Sequence, residues 1–191
     1  MNESKIVNLL FEVGTLRKLI RSHRQTLLTD DLSDNIASHS FRVAVIAYFL
    51  AKMEKADPYK ALVMALFHDV SESRSGDQNW VHKRYVKVFE DEIMNDQFSG
   101  LTKDNEALKL VEEYSKRETL EAKVAKDADL LDQLLLLKEY ENNGNDEAKD
   151  WLKGREQEKL MHTKSAKMLA EKIHEANIHD WWDNLWTANR R

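Results

Sequence analysis

The chain has 191 residues, of which 42% are hydrophobic and 33% charged. That length suits one helical domain with a real core, and the composition argues against disorder. The formal net charge of -5 argues against a protein whose main task is gripping a nucleic-acid backbone. A small anionic substrate stays open, because local charge in a pocket decides that.

Cysteine is absent, which excludes disulfides and thiolate metal sites. No apolar run is long enough to span a bilayer, so no membrane partner is expected. Met1-Asn2-Glu3-Ser4-Lys5 has no signal-peptide pattern, and cytoplasm is the expected compartment. One proline and five glycines favour long helices joined by short polar loops.

In chain order, Ile6, Leu9, Leu10, Val13, Leu16, Leu19 and Ile20 recur at helical steps and predict one apolar stripe. The stretch from about Asn35 to Lys55 carries Val43, Ile46, Ala47, Leu50 and Ala51 on one side. Asp57-Pro58 reads as an N-cap with proline at the first helical position. The apolar run from Ala61 leads into His68-Asp69, and Ser75-Gly76-Asp77 is a turn. Tyr85, Val88, Phe89, Ile93 and Met94 outline another helix, and Leu108, Leu110 and Val111 a shorter one. From about Glu118 to Tyr140 a helix holds the consecutive leucines Leu134 to Leu137; it buries more than one face and should be central. Asn142-Asn143-Gly144 ends it. Two or three helices follow, ending near Trp181, Trp182 and Trp186 at a core edge or subunit contact. The expected fold is all-α, one compact multi-helix bundle over residues 1–191, with C-terminal helices from about 145 packing on a motif region of about 20–140.

Polar residues where apolar ones belong carry the chemistry. His39 lies close to the apolar stripe of its helix; His68 and Asp69 end an apolar run; Asp127, Asp129 and Asp132 open the leucine-rich helix. Each alone is most simply a satisfied or solvated side chain. Together, with Glu72 one turn beyond His68-Asp69, they suggest a site. Two histidines and two aspartates would suit one divalent ion such as Mn, Fe, Co, Ni, Zn or Mg. Periodicity does not choose between Asp127 and Asp129, since Asp127 shares the stripe of Leu130, Leu134 and Leu137. Lys83 and Arg84, just past the Gly76-Asp77 turn, are candidate phosphate contacts, and Arg74 a weaker one.

His39, His68-Asp69 and a distant aspartate resemble the H…HD…D signature of the HD-domain phosphohydrolases. Ala37-Ser38-His39-Ser40, Phe67-His68-Asp69-Val70-Ser71-Glu72, Gly76-Asp77 and Lys126-Asp127-Ala128-Asp129 resemble its 5'-deoxynucleotidase branch. The resemblance covers roughly residues 5–140. It implies that His39, His68, Asp69 and Asp129 ligate one divalent metal, and that Glu72 and Asp77 lie beside it and handle water or protons. It aligns Arg24 with an arginine that contacts the sugar region and is followed by tryptophan; here Gln25 follows. The implied reaction is release of phosphate from (deoxy)nucleoside 5'-monophosphates by metal-activated water, in a homodimer. The alternatives are a phosphodiesterase or pyrophosphohydrolase on another nucleotide, and a non-catalytic metal- and nucleotide-binding sensor or scaffold. His23, His82, His162, His174 and His179 have no role in the signature.

Overall fold

The first apolar stripe is broken in two. In the computed structural model, which describes residues 1–183 and 185, helix α1 (Glu3–Val13) stops at Gly14. A 3-10 turn (Leu16–Lys18) follows, and Leu19 is extended. Ile20 then forms an isolated antiparallel bridge with Asn35. The stripe divides at glycine, the residue with the largest backbone entropy to lose in a helix. Leu10 faces solvent, whereas Ile6, Leu9 and Val13 pack against buried neighbours.

A short helix, α2 (Arg24–Leu27), leads to α3 (Ile36–Glu54). Asn35 begins α3 with a capping box: its side chain accepts from the Ser38 N–H, and the Ser38 hydroxyl accepts from the Asn35 N–H. Helix α4 (Pro58–Phe67) starts as expected, with the Asp57 carboxylate accepting from the Tyr59 and Lys60 N–H groups. Short helices α5 (Glu72–Ser75) and α6 (Trp80–Tyr85) follow.

The helix expected through Tyr85 to Met94 is interrupted. Helix α6 ends at Tyr85, Val86 is extended, and α7 (Glu90–Phe98) begins anew. Tyr85 and Phe89 are exposed, so burial does not draw the backbone into a helix. The stiff β-branched Val86 and Val88 then favour extended backbone, and the acidic start Glu90-Asp91-Glu92 suits a helix N-terminus.

Helix α8 (Glu106–Lys116) is followed by α9 (Leu120–Asn142), which Thr119 caps. Helix α9 is central, packing against α3, α4, α8 and the later α10 (Asp146–Gly154), α11 (Glu156–Leu160) and α12 (Lys164–Glu175). The last described helix is the short α13 (Asp180–Asp183). The described residues contain no strand beyond the isolated bridge, and the fold is all-α.

Leu131, Leu134 and Leu137 of α9 meet Val43, Ala47 and Leu50 of α3 and Met64 of α4 in the larger core cluster. Each fully buried leucine there contributes about 1.5–3 kcal/mol of apolar burial. A smaller cluster joins Leu16, Ile36, Val70, Met94 and Phe98. Trp181 is exposed rather than at a core edge, Trp182 meets His179 edge-on, and Trp186 lies outside the described residues. No helix among the described residues is long and apolar enough to cross a membrane.

Candidate metal centre and adjoining cavity

Three crossing helices bring the singled-out polar residues to one point. His39 sits in the second turn of α3, His68 and Asp69 follow the end of α4, and Asp129 projects from α9. The Nε2 atoms of His39 and His68 are 3.3 Å apart. Asp69 Oδ2 lies 3.3 Å from His39 Nε2 and 3.0 Å from His68 Nε2. Asp129 Oδ1 lies 3.3 Å and 3.9 Å from the same two atoms.

The outer nitrogens decide what the inner ones offer. His68 Nδ1 is 2.7 Å from the Ala65 carbonyl, which only accepts, so Nδ1–H donates and Nε2 presents a lone pair. His39 Nδ1 is 2.6 Å from Asp132 Oδ2, with the same consequence. Two nitrogen lone pairs and two carboxylate oxygens therefore converge. Such a set repels itself unless a positive charge joins it. His39 reports this demand: burial and Arg21 oppose its protonation, yet Asp129, Asp132 and Asp69 raise its pKa well above the ordinary value. A proton or a divalent cation satisfies that field equally, which is why ligand sites exchange one for the other. Two imidazole and two carboxylate donors fit a borderline or hard divalent ion, and His39, His68 and Asp129 offer ligand atoms that all lie within 4.8 Å of one another.

Both aspartates are held ionised. Burial opposes charge on Asp69, but His68 and His39 hold it well below the usual carboxylate range. For Asp129, Lys126 and His39 outweigh burial. The Lys126 ammonium donates to Asp129 Oδ2 at 2.6 Å, leaving Oδ1 to the imidazoles.

The third aspartate of α9 does something else. Asp127, fully buried, accepts from the backbone N–H groups of His162 and Thr163 at 2.8 and 2.7 Å and faces the His162 ring. It ties the start of α12 to α9 and stands apart from the imidazole pair. Asp132, also buried, accepts from His39, Arg42 and Arg21 and so sets the orientation of His39.

Glu72 and Asp77 line the cavity beside the cluster. Burial, then the charges of Asp69 and Asp77, push the Glu72 carboxyl up to about 10, so it carries a proton at neutral pH. Asp77 follows Gly76, whose φ of 72° needs glycine, and accepts from the backbone and hydroxyl of Ser22. Asn79 caps α6 and donates to the Ser22 carbonyl and to Gln25 Oε1. The segment before α3 thus latches the Gly76-Asp77 turn.

The cavity has a volume of about 890 Å³ and is also lined by Arg21, His23, Lys83, Tyr114, Arg117, Lys126 and Trp151. Of the two residues singled out beyond the Gly76-Asp77 turn, Lys83 is in this lining. Arg84 is not part of the lining and lies over the Tyr85 ring at 5.9 Å. Arg24 also falls outside the lining, with its guanidinium 3.4 Å from Asp30. Arg74 is occupied by Glu12. Arg21 and Arg117 went unremarked in the sequence, and His23 was given no role there, because such residues give no signal until the fold buries them. His23 is a neutral imidazole at physiological pH: burial and Arg21 push its pKa down to about 4, and its ring meets Trp151 edge-on.

The sequence profile of the HD domain matches residues 13–177. No curated protein matches the chain. Among solved structures, it resembles a conserved hypothetical protein from Pyrococcus furiosus, 28% identical, over 89% of this chain and 99% of that one, with a TM-score of 0.72. A protein from Pyrococcus horikoshii OT3 is 28% identical over 88% of this chain and 96% of that one, with a TM-score of 0.68. A protein of Magnetospirillum magnetotacticum MS-1, described as a predicted metal-dependent phosphohydrolase, is 26% identical over 90% of this chain and 93% of that one, with a TM-score of 0.63. Since the HD profile spans most of the chain, the protein belongs to the HD-domain family.

Proposed function

We propose that this protein is a metal-dependent phosphohydrolase that releases phosphate from nucleoside 5'-monophosphates. The observation that carries this reading is the pair of imidazole Nε2 atoms, their rings anchored through Nδ1, facing two carboxylates at the wall of a cavity large enough for a nucleotide. The likeness to the Magnetospirillum protein supports it.

His39, His68, Asp69 and Asp129 are the proposed ligands. A divalent cation among them supplies Lewis acidity, acidifying water and drawing charge from a phosphoryl oxygen. Glu72, whose carboxyl is pushed up to about 10 by burial and by the Asp69 and Asp77 charges, is the proposed proton donor to a leaving oxygen. Asp77, held by hydrogen bonds from Ser22, is proposed to orient water or accept its proton. Lys83, also in the lining, is the proposed cationic contact for the phosphate. Gln25 stands where the resembling nucleotidases carry tryptophan, but it braces Asn79 and does not line the cavity, so ribo- and deoxyribonucleotides should be turned over at similar rates.

A phosphate-release panel tests this. Protein stripped of metal and resupplied with Mn, Co, Ni, Zn or Mg is given nucleoside monophosphates, a cyclic dinucleotide and an aryl phosphate. Release from monophosphates is expected, falling about 10²–10⁴-fold in Glu72→Gln with metal content unchanged. No release from any ester with any metal, together with tight nucleotide binding, would instead make the protein a sensor.

A homodimer is supported by α3, whose outer face carries Phe41, Val45, Phe49 and Met53 at four-residue spacing, 69%, 41%, 61% and 40% exposed. A contiguous apolar stripe of this kind marks an interaction surface, and a two-fold pair is the commonest way to cover it. Light scattering should give twice the chain mass for the wild type and a single mass for Phe49→Glu. A wild type that is monomeric at micromolar concentration contradicts the dimer.

A further inference from the structure

Resting on the phosphohydrolase reading, we propose that Arg117 is a binding residue for the phosphate group of the substrate. Arg117 follows α8 with a φ of 56°, a left-handed conformation that glycine or asparagine adopts at less cost. Its guanidinium carbon lies 3.3 Å above the centre of the Tyr114 ring, and that ring meets His68 edge-on at 5.4 Å. One aromatic ring therefore separates this cation from a proposed metal ligand.

The hydrogen-bond state of Arg117 gives it a task. Its Nη1 is buried and has no acceptor, although Arg117 lines the cavity. A buried N–H without a partner is costly. The neighbouring cations are engaged: Arg21 with Asp132, and Lys126 with Asp129. The same cavity holds a second unpartnered buried donor, Gln133 Nε2. Arg117 thus brings to the lining a charged donor with no acceptor of its own, and the ligand that completes it supplies acceptor oxygens and negative charge. The non-bridging oxygens of a phosphate ester meet both requirements, and a guanidinium held flat on an aromatic ring is preorganised to meet them.

The test is isothermal titration of the metal-loaded full chain with inorganic phosphate, beside steady-state kinetics. Arg117→Gln should weaken phosphate binding about tenfold or more and raise KM with a smaller effect on kcat. Arg117→Lys should recover part of the loss. Metal content and the thermal midpoint should match the wild type, as should phosphate binding by Arg155→Gln, a change on the exposed surface. Unaltered phosphate affinity in Arg117→Gln, or no phosphate binding by the wild type, overturns the assignment. Arg117-dependent binding in a wild type that hydrolyses no ester would instead overturn the catalytic reading and leave Arg117 in place.

Discussion

Asp129→Ala should reduce phosphate release by roughly a thousandfold or more, equivalent to about 4 kcal/mol at a tenfold change per 1.36 kcal/mol. Two effects coincide. The change removes an oxygen that lies 3.3 Å from His39 Nε2, and it strands Lys126, whose ammonium otherwise rests on Asp129 Oδ2. Positive charge then rises where the site needs negative charge, so the cation is lost as well as a ligand. Raising the metal concentration should recover little activity. A variant that keeps more than a tenth of wild-type turnover at the same metal concentration would show that Asp129 is not a ligand.

The second large effect is expected at Asp132, which is not itself among the proposed ligands. Its carboxylate takes the His39 Nδ1 proton, the Arg42 Nε–H and a hydrogen bond from buried Arg21. In Asp132→Asn the shape is kept and the charge lost, so His39 is held less firmly in the tautomer that frees Nε2. Metal affinity should fall about 10–100-fold, the range found for partners of metal-bound histidines. In Asp132→Ala buried Arg21 loses a carboxylate partner, at a cost of up to about 3–5 kcal/mol, read as a lower urea midpoint at neutral pH; half-buried Arg42 keeps Glu139. The pH dependence has a definite sign. Burial opposes charge on Asp132, but His39 and Arg42 lower its pKa below 3.8. Its contribution is thus complete above pH 3.8 and is lost as pH falls through the folded value. The gap between wild type and Asp132→Ala should narrow on acidification. A gap that widens would contradict this role.

His39, His68 and Asp69 stood out in the sequence because each puts charge beside apolar residues, and the structure brings them together with Asp129. Periodicity could not separate Asp127 from Asp129, and the structure gives the reason: both point inward from α9, but to different partners. Asp127 meets backbone N–H groups before α12, whereas Asp129 meets the imidazoles. A buried aspartate satisfied by backbone and one facing ligand atoms leave the same trace in hydropathy. The long helices α3, α4 and α9 were legible from caps and spacing. The breaks at Gly14 and Val86 were not, because the apolar spacing continues across both. Arg21 and Arg117 were invisible for a similar reason, since an arginine shows its role only once its surroundings are known.

The proposed metal centre holds one cation per chain, in the cluster that includes Asp129 and excludes Asp127. Metal content after reconstitution with Mn and gel filtration measures this directly, by elemental analysis. One equivalent is expected in the wild type and in Asp127→Asn, and none in Asp129→Ala. Retention of the metal by Asp129→Ala with its loss from Asp127→Asn would contradict the arrangement described above.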